Sequence, residues 1–420
     1  MSGRWLKIAA VALSSAVAAS VALVPATSAE QVKRPAITIQ SNDQFDAEHG
    51  IKSGSGTASD PFVISGWRVN SIRIENTDRH VVITDNTVAG KMILNWIGDR
   101  AHVHDNVVGD LRVNQNVRRT GLPTSGVIAQ NAFGIVGQLR HWDGVFERNV
   151  IGARNALGSR AVNFDGFNGA RFRNNTIYGY MDARLHGHHH SSAYGAGSHQ
   201  HSGEHHAAAA VDHTRRYHQV RITGNAISTT APFALAYLDT NHAANDRTAA
   251  SEQEPSLRLP HVHHTRVLIA GNRLAGAGLM VNVFNALDKQ KHLEFAEGLV
   301  ELRDNTITLA KDGWSRDLFG IEVKQARYLT LLIDGNSITG RPSSNGIFEL
   351  FDNSKDAGIY LHTLDVGDVR ILHNRVTERS IGVRAEQFTK DVRWVIDDLR
   401  TKNVESRVTT DDTVQDSPNA

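Results

Sequence analysis

One short segment, residues 180–186, alternates chemically versatile side chains with apolar ones. In an extended strand, alternate side chains share a face. The inward set is then Met181, Ala183 and Leu185. The outward set is Tyr180, Asp182, Arg184 and His186. A phenol, a carboxylate, a guanidinium and an imidazole on one face could supply a proton donor, a charge partner and a base near neutral pH.

Histidines are concentrated after this segment, since ten of the 22 in the chain lie in residues 186–218. His186 and His188 form an H-x-H pair, and His190 follows at the next alternate position. Imidazole nitrogens suit zinc or copper, so these three residues are candidate metal ligands. The alternative is an inert, solvated loop over residues 191–210, where Ser, Gly, Ala and His dominate.

Further polar residues occur in strand-like segments before and after this one, where they could extend the same face. We expect Tyr237 and Asp239 to take part in catalysis beside residues 180–188. The expected substrate-binding residues are Asn163, Asp165, His242, Arg247, Asn282, Asn285 and Lys324. Any exposed sheet needs polar residues, so a solvated surface without chemistry is the competing interpretation.

These segments belong to an internal repeat of the form apolar-x-x-Asn-x-apolar, with Ile83, Asn86 and Val88 as its first copy. Each apolar burst is short, rich in Val and Ile, and followed by Asn or Gly, as in strands that end in turns. The ten repeated asparagines are Asn86, Asn106, Asn131, Asn149, Asn175, Asn225, Asn272, Asn305, Asn336 and Asn374.

The shorter intervals between these asparagines, 18 to 26 residues, match one coil of a solenoid, and the longer ones leave room for outgrowths. A coil is expected to read strand, Asn turn, strand, loop, with the Asn itself in left-handed backbone geometry. Stacked coils pair with their neighbours in parallel sheets, and the amides form an asparagine ladder. The sequence therefore predicts an all-β, right-handed parallel β-helix with a His-rich loop insertion.

The opening segment Gly54-Ser55-Gly56-Thr57-Ala58-Ser59-Asp60-Pro61-Phe62-Val63-Ile64 adds a family resemblance. It resembles the first coil of right-handed parallel β-helix proteins, a group that includes pectate-lyase-like enzymes, alginate epimerases and NosD-like carbohydrate-active proteins. The resemblance covers residues 54–374 and is specific for the fold rather than the activity, because this scaffold hosts several chemistries.

The resemblance implies a polysaccharide-active enzyme, with a lyase or an epimerase of a uronic-acid polymer as the leading hypothesis. His186 or His188 would be the base, Arg184 would pair with the uronate carboxylate, and Tyr237 would be the acid. Asp182 and Asp239 would orient a histidine or hold Ca²⁺. In a glycoside hydrolase, the close variant, these two would be the carboxylate pair.

Two non-catalytic alternatives stay open. One is a metal-binding protein of the NosD-like kind, holding zinc or copper through its histidines. The other is a carbohydrate-binding or structural solenoid. The 45 basic and 44 acidic residues nearly cancel, which gives no reason to expect a nucleic acid or an anionic membrane as partner.

Residues 1–29 have the basic start, apolar run and small-residue end of a secretory signal peptide, so we expect a secreted chain with no membrane contact after cleavage. The absence of cysteine leaves packing and backbone hydrogen bonds to stabilise it. The expected order is an N-terminal cap over 30–53, the β-helix over 54–400 and a flexible tail over 401–420. Solenoids with capped ends are expected to be monomers.

Overall fold

The computed structural model describes residues 31–97, 100–114, 126–142, 144–166, 170–185, 219–231, 233–240, 266–284, 298–310, 319–324, 327–340, 357–388 and 392–411. Apart from one 3₁₀ turn, Asn42–Gln44, the regular elements in these ranges are β-strands, and the strands pair in parallel. The chain is therefore a parallel β-helix. The right-handed winding expected from the sequence is the hand that parallel crossovers adopt almost without exception.

Each coil contributes to three rows of strands. The first row, which precedes the Asn turn, contains Phe62–Ser65, Val81–Thr84, Ala101–His104, Val127–Ala129, Val145–Glu147, Arg171–Arg173, Gln219–Thr223, Arg266–Ala270, Gly298–Arg303, Arg327–Asp334, the second half of Ala357–Leu372, and Val392–Asp397. Its strands pair in chain order, each with the equivalent strand of the next coil.

The second row follows the Asn turn and contains Val32–Lys33, Trp67–Val69, Val150–Ile151, Thr176–Tyr178, Ala226–Ser228, Arg273–Gly276, Thr306–Leu309 and Ser337–Thr339. The third row contains Ala36–Ile39, Ser71–Glu75, Arg160–Gly166, Tyr180–Leu185, Phe233–Thr240, Gly278–Phe284, Ile321–Lys324 and the first half of Ala357–Leu372. Five strands run through both rows, namely Thr87–Asn95, Val107–Asn114, Ala132–Trp142, Arg375–Phe388 and Arg400–Thr410. The sequence predicted two strands per coil, and the short second-row strand is the addition.

The asparagine ladder is present at all ten predicted positions. In each of its nine steps, the backbone N–H and the side-chain Nδ2 of one Asn donate to Oδ1 of the next, at 2.9–3.1 Å. Nδ2 also donates to a backbone carbonyl of the preceding coil, as Asn225 does to Phe172 O at 3.2 Å. Every ladder amide is buried, so these bonds satisfy polar groups that water cannot reach.

The left-handed backbone position was predicted wrongly, because it belongs to the residue before each ladder Asn. Asp85 has φ 57° before Asn86, and Gly224 has φ 65° before Asn225, whereas no ladder Asn has a positive φ. With the turn made by its predecessor, the ladder Asn keeps its side chain pointing into the stack, where it reaches the next coil.

The two ends of the stack differ from the expected boundaries. At the N-terminal end, Val32–Lys33 and Ala36–Ile39 pair in parallel with the following coil, so the segment expected to be a cap supplies strands itself. At the other end, Arg400–Thr410 pairs with Arg375–Phe388. The flexible tail predicted from residue 401 is therefore wrong for residues 401–410, and residues 412–420 lie outside the described part of the chain.

The core is a set of apolar columns between the three rows. The apolar residues three positions before each ladder Asn are fully buried, including Ile83, Phe146 and Phe172, and the two phenyl rings stack with centroids 4.8 Å apart. The residues two positions after each ladder Asn form a second buried column. The core thus runs along the whole described helix.

A column of glycines begins the third-row strands near the C-terminal end. A Cβ atom at Gly320 would lie 2.6 Å from Gly358 O, and one at Gly358 would lie 2.4 Å from Val376 Cγ1 and 3.0 Å from Gly382 O. These strands therefore start where successive backbones and the second row approach too closely for a side chain.

Gly358→Ala is expected to destabilise the protein by about 1–3 kcal/mol, because the added methyl group overpacks this column. Chemical denaturation would measure the change. Gly158→Ala is the matched control, since the nearest atom to its added Cβ is Thr230 Oγ1 at 3.3 Å. Equal stability of the two variants would contradict the proposed crowding.

No helix in the described part of the chain is long and apolar enough to cross a membrane. The predicted signal peptide over residues 1–29 lies outside the described residues, so export stays a prediction.

Candidate functional site

The outward positions of the third row form a continuous surface, called the outer wall below. Its residues stand in two neighbouring columns, spaced by about 4.8 Å per coil. The described register fixes the order of the first column as Asn163, Asp182, Ala236, Met280, Glu322, Tyr360 and Arg384. The second column is Asp165, Arg184, Leu238, Asn282, Lys324, His362 and Glu386.

The strand Tyr180–Leu185 has the predicted register. Met181 and Ala183 are fully buried, while Arg184 is half exposed on the opposite face. Asp182 lies against the wall between two guanidinium groups, with Arg184 Nη2 at 3.1 Å and Arg160 Nη1 at 3.6 Å from its Oδ2. The carboxylate is thus paired with two cations on the outer wall.

Tyr237 does not lie on the outer wall, so its expected role as a catalytic acid is wrong. It is fully buried in the core, with Ala183 and Val281 as its register partners. The register shifts between Phe233 and Leu235, and both faces of this strand are mostly apolar, so alternation did not determine which face points inward.

The structure brings Asn163, Asp182, Arg184, Asn282 and Lys324 onto the outer wall, as predicted. Asp165 and Asp239 are described by backbone only, where Asp165 pairs with Arg184 and Asp239 pairs with Leu185. The remaining candidates lie outside the described residues: His186, His188, His190, His242, Arg247 and Asn285.

Six ionisable side chains meet on three adjacent coils near the C-terminal end of the wall. We call them the C-terminal cluster: Glu322, Lys324, Tyr360, His362, Arg384 and Glu386. Only Lys324 was among the predicted site residues.

Tyr360 is the most buried member of the cluster, although it faces outward. Its ring stacks on Phe319 with centroids 4.5 Å apart, and only 5% of the residue is exposed. Its hydroxyl donates to Glu386 Oε2 at 2.7 Å, while Arg384 binds the other oxygen of that carboxylate. The Tyr360 hydroxyl is therefore held in a fixed direction beside a guanidinium group.

The pKa values in the cluster separate a proton donor from a permanent anion. Burial and then the hydrogen bond to Glu386 raise the pKa of Tyr360 well above its usual value of 10.0. Burial alone would raise the pKa of Glu386, but hydrogen bonds from Tyr360 and Arg384 outweigh it and hold this pKa below 4.5. Near neutral pH, Tyr360 is thus a protonated donor and Glu386 a carboxylate.

His362 and Lys324 form the more accessible part of the cluster. The ring of His362 lies 5.8 Å from that of Tyr360, and its Nδ1 lies 2.9 Å from Thr363 Oγ1. Lys324 Nζ binds Glu322 Oε1 at 2.8 Å, with 42% of the lysine side chain exposed. A ligand at this surface would meet an imidazole and an ammonium group, with the largely buried phenol of Tyr360 beside them.

Comparisons of the chain with family models, curated proteins and solved structures found no match.

A metal centre is not formed by the described residues, among which no three His, Asp or Glu side chains come together as a metal ion would require. The predicted ligands His186, His188 and His190 fall outside these residues. Binding of zinc, copper or calcium therefore stays a prediction.

Glu386→Gln is expected to make the protein less sensitive to acid. Because the folded-state pKa of Glu386 lies below the unfolded value of 4.5, the carboxylate contributes stability above pH 4.5 and loses it as pH falls through the folded pKa. Unfolding free energies measured from neutral pH to below pH 4 should fall less steeply in the variant than in the wild type. Parallel curves would contradict this assignment.

The residues that the sequence reasoning missed carry a recognisable signal. Three third-row strands begin Gly-apolar-x-apolar-x, as Gly320–Lys324, Gly358–His362 and Gly382–Glu386. Aligning these segments on their glycines would have placed Tyr360, His362, Arg384 and Glu386 beside Glu322 and Lys324.

Proposed function

We propose that this chain is a polysaccharide-active β-helix protein that removes the C5 proton of a uronic acid unit, as a lyase or an epimerase. The observation that carries the proposal is the meeting of His362, Tyr360, Arg384 and Lys324 on the outward face of three adjacent coils. Proton abstraction beside a carboxylate needs a base, a cation and a proton donor, and the cluster supplies all three.

Each member of the cluster takes one role in this reaction. His362 accepts the C5 proton, because a ring nitrogen of a neutral imidazole has a lone pair that can act as a general base. Lys324 or Arg384 stabilises the charge that develops on the substrate carboxylate. Tyr360, whose raised pKa keeps it protonated, donates a proton to the leaving oxygen in a lyase, or to C5 from the opposite face in an epimerase.

A glycoside hydrolase fits the cluster less well. Its general acid is a carboxylic acid with a raised pKa. The pKa of Glu386 is instead lowered, and Glu322 is bound to Lys324. The two carboxylates therefore act as partners of the cations rather than as the reacting pair.

The arginine-flanked Asp182 and its neighbours are proposed to bind more distant units of the same polymer. Asp182 stands three coil steps from Glu322 in the first column, or about 14 Å. That separation exceeds one sugar unit, so Arg184 would contact the substrate without taking part in proton transfer. The roles first expected for Asp182 and Arg184 in catalysis are thereby replaced by binding.

The proposal includes the expected export of the chain and a polysaccharide outside the cell as its partner. The test is incubation of the protein with a panel of uronate polymers. Ultraviolet absorbance would follow unsaturated products, NMR with deuterium exchange at C5 would follow epimerisation, and a reducing-sugar assay would follow hydrolysis. Unsaturation or C5 exchange supports the proposal, whereas hydrolysis alone or no reaction on any polymer overturns it.

A further inference from the structure

Thr363 adopts a backbone conformation that its side chain disfavours. Its φ is 57°, in the left-handed region where a β-branched residue is an outlier. Gln387, at the equivalent corner of the next coil, has φ 56°. Strained backbone of this kind persists where surrounding contacts hold it, and it is concentrated at functional sites.

The strained corner places the Thr363 hydroxyl between two side chains. Its Oγ1 lies 2.9 Å from His362 Nδ1, and it donates to Gln387 Oε1 at 2.9 Å. The backbone N–H of Gln387 in turn donates to Asp411 Oδ2 at 3.0 Å. Hydrogen bonds thus join Thr363, Gln387 and Asp411, which lie on successive coils just after the outer-wall strands.

This chain determines where the proton of neutral His362 lies. A hydroxyl has one proton to donate. If that proton goes to Gln387, Thr363 Oγ1 can only accept from His362, so Nδ1 carries the hydrogen and Nε2 carries the lone pair. The bond made by one ring nitrogen sets the tautomer of the whole imidazole.

We propose that Thr363 and Gln387 are positioning residues that hold the proton of His362 on Nδ1 and so present Nε2 as the proton acceptor. The inference rests on the proposed function, in which His362 is the base. It assigns the strained corner a purpose, because in this backbone geometry the threonine hydroxyl lies 2.9 Å from Nδ1 of the preceding residue.

The charged neighbours of His362 set the electrostatic field at the ring, but they do not decide which ring nitrogen carries the proton. Lys324 and Glu386 are its register partners on the two adjacent coils, Tyr360 precedes it by two residues, and Arg384 and Glu322 stand in the neighbouring column. The hydrogen bond with Thr363 is made by one ring nitrogen, Nδ1. The surrounding charges act on the whole ring and do not select between its two nitrogens.

The test is the tautomer of His362 in full-length protein labelled with ¹⁵N-histidine, read from long-range ¹H–¹⁵N correlations of the neutral ring. The His362 signals are assigned by their loss in His362→Gln. The wild type is expected to show a protonated Nδ1. Thr363→Val and Gln387→Leu are expected to move the proton partly or wholly to Nε2, whereas Thr363→Ser keeps it on Nδ1.

Thr377→Val is the matched control, since its Oγ1 donates to Thr339 Oγ1 on the second row and its loss should leave the His362 signals unchanged. A wild-type ring protonated on Nε2, or an unchanged tautomer in both Thr363→Val and Gln387→Leu, overturns the inference. The two variants serve as alternatives if one does not fold.

Activity separates this inference from the proposed function. On a polymer that the wild type converts, Thr363→Val should lower kcat about tenfold or more with KM little changed, because a wrong tautomer impairs the base without removing binding. If the tautomer shifts as expected but no uronate polymer reacts with the wild type, the hydrogen-bond chain stands and the proposed reaction fails. If the polymer reacts and the tautomer does not shift, the positioning role alone fails.

Discussion

Replacing His362 by glutamine is expected to lower kcat on the preferred uronate polymer about 10²- to 10⁴-fold, which is the usual contribution of a general base. Glutamine keeps the size and polarity of the side chain but accepts no proton. KM should change little, because Lys324 and Arg384 still face the substrate. The pH–rate profile should also lose the limb that reports deprotonation of the base.

His102→Gln is the control for this prediction. His102 lies exposed on the first-row strand Ala101–His104, on a different face of the coil, and should retain full activity. Circular dichroism and thermal unfolding of both variants would show that the fold is intact. Full activity of His362→Gln would remove His362 from the mechanism and require another base on the wall.

Asn225→Ala is expected to destabilise the protein by about 3–5 kcal/mol, the largest stability effect we predict for one side chain. The substitution removes the acceptor of two donors, the backbone N–H and Nδ2 of Asn175, and the donor to Phe172 O. The Asn175 N–H is left without its acceptor at a cost of about 1–3 kcal/mol, whereas Asn175 Nδ2 keeps Phe146 O, and the lost side chain adds a cavity in the stack. Urea unfolding followed by circular dichroism would measure the loss.

The exposed Asn70 provides the matched comparison, because Asn70→Ala should change stability by less than about 0.5 kcal/mol. A loss below about 1 kcal/mol for Asn225→Ala would mean that water or a neighbouring group replaces the missing amide. The ladder hydrogen bonds would then contribute little to the free energy of unfolding, although the asparagines would still mark the repeat in the sequence.

The fold could be predicted because its signal is local and repeated. Apolar residues at fixed offsets from each Asn define the inward positions, and all ten asparagines joined the ladder. The residue that makes the turn was misassigned, since both Asp85 and Asn86 tolerate left-handed geometry in principle. Sequence alone could not decide which of two adjacent residues carries the positive φ.

The site was predicted only in part, for reasons that differ between strands. In Tyr180–Leu185, polar and apolar residues alternate strictly, so Asp182 and Arg184 were placed correctly. In Phe233–Thr240, both faces are apolar and the register shifts, so Tyr237 was placed on the wrong face.

The C-terminal cluster was missed because its strands are long and continuous. In Ala357–Leu372 and Arg375–Phe388, two rows run together without a turn residue to mark their boundary. Arg384 and Glu386 were therefore not among the expected site residues.

Because the same asparagine ladder links each pair of described coils, one whole coil could be removed and its two neighbours could still stack on each other. Asn86 and Asn106 are separated by 106 − 86 = 20 residues, one complete coil, and each coil rests on its immediate neighbours. Excising such a unit from the N-terminal half would rejoin the amide stack and leave Tyr360, His362 and Arg384 in place. Evolution, or an engineer, could thus shorten or lengthen the surface available to a polymer without touching the groups that react with it.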